Sequence, residues 1–267
     1  MKVLLLTLLT PMVAFCSIDA DYLRGPTQVA DITYEWLTEG GAQDHDTHHV
    51  RLWKEIFSRV KNKSLLEFGL GYSTKYFLDH CKKVTSVDII TYGYGPGILK
   101  KLLGIYSGYS NWIPIAFFSE DRGYDYSWAP YKHFGSGSVY KATSYQGAYR
   151  KNYAEIDNFY QIELNHFVSK LVKYNKVGLA FVGHAICLRG DIVQIYLSHQ
   201  IPVIVSHNSE NRHNGVAEDM YGLSRVVTPD NYEEIYFPLP GGTTAWIMKT
   251  AENEELIDAL KKFASTI

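Results

Sequence analysis

Residues 64–88 read SLLEFGLGYSTKYFLDHCKKVTSVD. An apolar run, Leu65-Leu66-Glu67-Phe68, leads into Gly69-Leu70-Gly71. A helical pattern follows, and a second apolar run closes on Asp88. Strand, glycine turn, helix and strand make one βαβ unit. The two glycines let the chain turn sharply and let a ligand come against bare backbone. Ser73 or Thr74 can cap the helix, whose first N–H groups would point at that ligand. A carboxylate about 20 residues past such a turn, as Asp88 is, can accept hydrogen bonds from both ribose hydroxyls.

Outward from this unit the chain keeps an α/β rhythm. Two amphipathic helices are expected before it, over 29–37 and 50–60; the second places Val50, Trp53, Ile56, Phe57 and Val60 at helical spacing. After it come a short helix at 98–105 and a strand at 112–118. A helix is expected over 153–174, with Ile156, Phe159, Tyr160, Leu164, Phe167, Val168 and Leu171 on one face. Two continuous apolar runs, 177–182 and 202–206, read as strands buried on both faces, with a helix at 188–199 between them. Strands at 232–237 and 244–249 flank Leu239-Pro240-Gly241-Gly242, which is turn chemistry. A helix over 252–263 closes the chain. The expected architecture is a three-layer α/β sandwich around a mostly parallel, doubly wound sheet with a C-terminal antiparallel strand pair.

Length and composition set limits. At 267 residues, 46% hydrophobic and 20% charged, the chain is an ordinary globular one with a single sizeable core plus an insertion. A net charge of −2 gives no reason to expect a nucleic-acid partner. Three cysteines, Cys16, Cys81 and Cys187, do not make a disulfide framework; Cys81 and Cys187 read as buried small apolar residues. Met1-Lys2 precedes an uncharged apolar run through Cys16 that is too short for a comfortable membrane span. It fits a secretory signal cleaved before Ser17, which would place the mature chain in a secretory or periplasmic compartment; the other reading is a buried N-terminal strand or helix of a cytoplasmic protein. The expected organisation is thus a signal over 1–16, a linker and helix over 17–49, and one domain over 50–267 with an insertion at about 92–152.

Two stretches carry further candidate groups. His45, His48 and His49 form a cluster that reads as a solvated loop, a substrate-facing histidine or a weak metal site. Residues 121–153 are rich in Tyr, Gly and Ser without a regular period. A loop that long is expected to cover a site. Tyr124, Tyr126, Trp128 and Tyr131 would line it, and Arg150 and Lys151 would meet an anionic substrate or water.

Glu67, Gly69, Gly71 and Asp88 resemble motif I and the following acidic strand end of class I S-adenosylmethionine-dependent methyltransferases. Tyr72-Ser73-Thr74 stands where nicotinamide dehydrogenases usually carry a third glycine. The resemblance implies S-adenosyl-L-methionine as cofactor, bound by Glu67, Gly69, Gly71, Ser73 and Asp88. It adds Glu120 or Asp121, after the third strand, for the adenine amino group. It implies methyl transfer to an oxygen or nitrogen of a small molecule or sugar. The alternative is an exported, catalytically degenerate binding protein of the same fold. In metal-dependent O-methyltransferases that this chain resembles, the fourth and fifth strands end in carboxylates. Here those ends read Gly183-His184 and His207-Asn208, so no metal is expected. His207, with His184 second, is the candidate general base.

Overall fold

The computed structural model describes residues 25–40, 47–61, 63–90, 97–118, 132–134, 165–183, 188–214 and 221–267. The described strands are β1 (Ser64–Phe68), β2 (Lys83–Ile90), β3 (Trp112–Phe118), β4 (Lys132–Phe134), β5 (Leu179–Val182), β6 (Val203–His207), β7 (Tyr232–Phe237) and β8 (Thr243–Met248). They form one eight-stranded sheet in the order β4-β3-β2-β1-β5-β6-β8-β7. Every pairing from β4 across to β6 is parallel. β8 lies antiparallel to both β6 and β7, so it alone runs against the rest. The chain starts in the middle of the sheet at β1, works outward to β4, then returns to β5 on the other side of β1.

Helices cover both faces. One face carries α1 (Val50–Arg59), α2 (Thr74–His80), α3 (Gly97–Ile105) and α6 (Glu254–Ala264), packed on Leu65, Phe181, Val203, Val205 and Ile247. The other carries a helix over 165–175, here α4, and α5 (Arg189–Ser198), packed on Leu66, Phe68, Val182 and Ile204. Residues alternate between the two cores along each strand because side chains of a strand alternate faces. Every residue of β5 is buried, which is why its sequence shows no polar alternation. Trp53 and Trp246 are fully buried, one in each core.

Several expectations need correcting. Residues 29–37 do not form one helix: a 3-10 turn, Val29–Asp31, is followed by a separate helical stretch that ends in a π turn, Trp36–Gly40. The apolar spacing there serves packing of a strap, with Tyr34 on Tyr76 and Trp36 on Tyr72. The stretch 121–153, read as a loop without a regular period, includes β4, which adds a parallel edge strand to β3. β2 runs two residues beyond Asp88. His207 is the last residue of β6, not the first after it. His49 does not sit in a loop but at the N-cap of α1, buried. Cys81 caps the end of α2, buried, and burial pushes its thiol up to about 12. Residues 1–16, Cys16, His45, Glu120, Asp121, Tyr124, Tyr126, Trp128, Tyr131, Arg150, Lys151, His184, Cys187 and the first half of the 153–174 helix lie outside the described residues. Among the described residues no helix is long and apolar enough to cross a membrane.

Candidate functional site

The sheet order reverses between β1 and β5, and in open α/β sheets the crevice at the carboxyl ends beside such a reversal is where ligands bind. The glycine turn leaves β1 at that point. Gly69 has φ +101°, a conformation that side chains rarely adopt. Its N–H donates to Val87 O at 2.9 Å, and Gly183 N–H donates to Phe68 O at 2.9 Å. These bonds carry the ladder one step past each strand, so Gly69, Asp88 and Gly183 lie nearly level. Asp88 is half-buried beside the turn.

Two buried groups hold the turn from below. Glu67 is fully buried and accepts from Thr74 Oγ1 at 2.9 and 3.0 Å and from Ser86 Oγ at 2.6 Å. Thr74 Oγ1 in turn accepts the Gly71 N–H at 3.0 Å. Burial pushes the Glu67 carboxyl up to about 8, against the hydrogen bonds from Ser86 and Thr74; the nearby Asp88 adds to the rise. Tyr106 Oη donates to Gly71 O at 3.0 Å and to Tyr72 O at 3.2 Å. Thus one side chain fixes the turn's amide and another its carbonyls. Ser73 is buried at the N-cap of α2, but its hydroxyl makes no capping bond there; Thr74 does the local work instead.

Tyr72, the first residue after the glycine turn, is fully buried. Its hydroxyl accepts from Lys101 Nζ at 2.9 Å, and its ring meets Trp36 edge-on with centroids 5.1 Å apart. A Cβ on Gly25 would come within 2.4 Å of the Tyr72 oxygen. The strap over 25–40 therefore crosses the turn on this side, and Lys101 ties it down through Gly25 O at 2.8 Å.

At the far side of the crevice, His207 continues the face of Val203 and Val205. Its ring is 2% exposed, with Nδ1 3.1 Å from Thr243 Oγ1. His49 packs between it and Phe181, with centroids 4.9 and 4.5 Å away. The Gly241 backbone closes over it, so that a Cβ there would meet the ring at 3.4 Å. His207 is thus at the expected end of the sheet, but enclosed. Arg189, in the first turn of α5, joins the ends of β5 and β6. Its guanidinium, 3% exposed, donates to Gly183 O at 2.9 Å, to Asn208 Oδ1 at 2.9 Å and to His207 O, and stacks on Tyr221. Sequence reasoning gave Arg189, Tyr106 and Lys101 no role. For Arg189 a signal existed: a cation in a helix's first turn opposes the macrodipole, so something else must hold it. Among the described residues no group of three His, Cys, Asp or Glu could hold a metal.

No family model matches the sequence, and no curated protein does. Solved structures that resemble the chain include an O-methyltransferase from Bacillus cereus in complex with S-adenosylhomocysteine, at 10% identity, covering 91% of this chain and 93% of that one, with a TM-score of 0.45. An S-adenosylhomocysteine-bound methyltransferase from Podospora anserina covers 90% and 88% at 12% identity, TM-score 0.41. The N-methyltransferase NodS from Bradyrhizobium japonicum, also with S-adenosylhomocysteine, covers 88% and 98% at 9% identity, TM-score 0.43. These are likenesses of chain course and leave the site to its own residues. The chain's own strand order, with the glycine turn at the reversal and one antiparallel strand near the C-terminal edge, is a methyltransferase-like α/β fold.

Proposed function

We propose that the chain binds S-adenosylmethionine at the carboxyl end of β1 and catalyses methyl transfer to an oxygen or nitrogen of a small molecule or sugar. The observation that carries this reading is the Gly69–Gly71 turn at the sheet reversal, pinned from beneath by Glu67 and Thr74, with Asp88 level beside it. The residues suit that cofactor. Bare backbone at Gly69 and Gly71 admits a close ligand, and Asp88 offers an acceptor for ribose hydroxyls. The cofactor supplies a methyl group on a sulfonium, whose sulfur keeps the bonding pair when the acceptor attacks. What the chain contributes is orientation of acceptor and methyl in line, and exclusion of water. A hydroxyl acceptor also needs its proton taken; His207 or His184 is proposed for that, and the His207 ring would first have to be uncovered.

Two binding measurements test this. Gly71 is not among the glycines with positive φ, so Gly71→Val costs little backbone strain and fills ligand space instead. It is expected to abolish calorimetric binding of S-adenosylhomocysteine while the variant still melts cooperatively. Asp88→Ala is expected to weaken binding by about 1.5–3 kcal/mol, the loss of hydrogen bonds to a charged group. Wild-type protein giving no heat and no thermal shift with either nucleoside would overturn the proposal.

A further inference from the structure

Glu67 does more than fill space. It is the end of a polar chain that begins at Trp112 on β3, whose Nε1–H donates to Ser86 Oγ at 3.0 Å. Ser86 Oγ donates to Glu67 from β2, and Thr74 Oγ1 donates to it from α2. Thr74 holds the Gly71 N–H. All the donors therefore converge on one buried carboxyl, and the pattern suits a carboxylate that only accepts. When Glu67 carries its proton, that O–H must itself donate to Thr74 or Ser86, each of which already accepts an N–H. Where that proton goes to Thr74, the oxygen that holds the Gly71 N–H takes on a second donor, and the two states differ at the turn.

We propose, resting on the methyl-transfer reading, that Glu67 is a positioning residue. Through Thr74 it sets the Gly71 amide, and its carboxylate favours the cationic methyl donor over the uncharged-sulfur product. Charge beneath the turn attracts the sulfonium, and transfer of the methyl group removes that attraction. By linkage, binding the cation favours loss of the Glu67 proton by the same factor. Among the described residues, the titratable groups that feel Glu67 include Asp88 on β2, Cys81 at the end of α2 and Tyr196 on α5. Burial holds the thiol and the phenol neutral across the relevant range, so among these described groups Glu67 and Asp88 carry the charge.

The test is calorimetric titration of the full chain and of Glu67→Gln with S-adenosylmethionine and S-adenosylhomocysteine, between about pH 6.5 and pH 9.5. The ligands' own amino groups titrate near this range, but they contribute equally to both proteins. For wild type the preference for S-adenosylmethionine over S-adenosylhomocysteine should grow roughly fivefold or more with rising pH, the low end of ordinary coupling. In Glu67→Gln the preference should change only as the free ligands dictate. A second variant, Thr74→Val, keeps the carboxyl and removes its bridge. It should weaken both nucleosides together, keep the pH-dependent preference, and be rescued by Thr74→Ser. Equal pH behaviour of wild type and Glu67→Gln, or a Thr74→Val variant that binds as wild type, overturns the inference and leaves the methyl-transfer reading standing. No binding by wild type overturns both.

Discussion

Arg189→Met is expected to lower the unfolding free energy by about 3–5 kcal/mol, a loss typical of breaking a buried charged network. The guanidinium holds Gly183 O, His207 O and Asn208 Oδ1, which belong to two different strand ends. A hydrogen bond from a charged donor contributes about 1.5–3 kcal/mol, and an acceptor left buried without one costs its desolvation. Methionine recovers part of this, because it removes a buried cation and refills the volume, so the three terms do not simply add. Arg225→Met is the control. Arg225 is 40% exposed and reaches Asp191 at 3.6 Å, so its pairing is screened by solvent and the change should stay below about 1 kcal/mol. Urea unfolding followed by fluorescence and circular dichroism would measure both. An Arg189→Met loss as small as the Arg225→Met loss would show that the ends of β5 and β6 hold without the guanidinium.

The same contacts explain what could be read from the sequence. β3 appears with the expected bounds, because WIPIAFF is an uninterrupted apolar run between turn residues. The βαβ unit was legible for a similar reason: Leu65, Leu66 and Phe68 face two cores, and the glycines break the pattern cleanly. Asp88 was placed by spacing alone and stands beside the turn. The Glu67 network was not legible. An acid inside an apolar run reads as a ligand contact, yet its partners Ser86 and Thr74 come from 19 and 7 residues away and meet only when β1, β2 and α2 pack. The strap over 25–40 misled because π and 3-10 turns present apolar residues at nearly helical spacing. β4 escaped because an edge strand of three residues carries too little periodicity to see. His49 belongs by sequence with its loop neighbours; the Phe181 ring stacked on it and the His207 ring tilted against it enclose it in the fold.

Wild-type stability is expected to fall as pH rises from about 4.5 to about 8, and Glu67→Gln should remove most of that slope. In the unfolded chain Glu67 titrates at its ordinary 4.5, whereas burial in the fold raises it to about 8. Between those values the folded state binds more protons than the unfolded state, so each increment of pH favours unfolding. Above the window both states are ionised and the contribution is flat. At ~1.4 kcal/mol per pH unit the window corresponds to a loss of about 3–5 kcal/mol. Glu67 has no solvent exposure to screen this. Burial lowers His213 within the acid part of this window and its contribution runs the other way, so the slope is read as the difference between wild type and Glu67→Gln; Glu233 and Glu234 act below the window. The hydrogen bond from Lys261 holds Glu233 below its usual value; burial raises Glu234, but hydrogen bonds from Arg212, Thr228 and Trp246 together outweigh it and hold that carboxyl low as well, so both contributions are lost only as pH falls beneath about 4.5. Cys81, pushed up to about 12, ionises beyond it. The comparison of wild type with Glu67→Gln by urea unfolding at several pH values isolates the one group. Parallel stability curves for the two proteins would mean that Glu67 is ionised in the fold at neutral pH, with the Ser86 and Thr74 hydrogen bonds outweighing its burial.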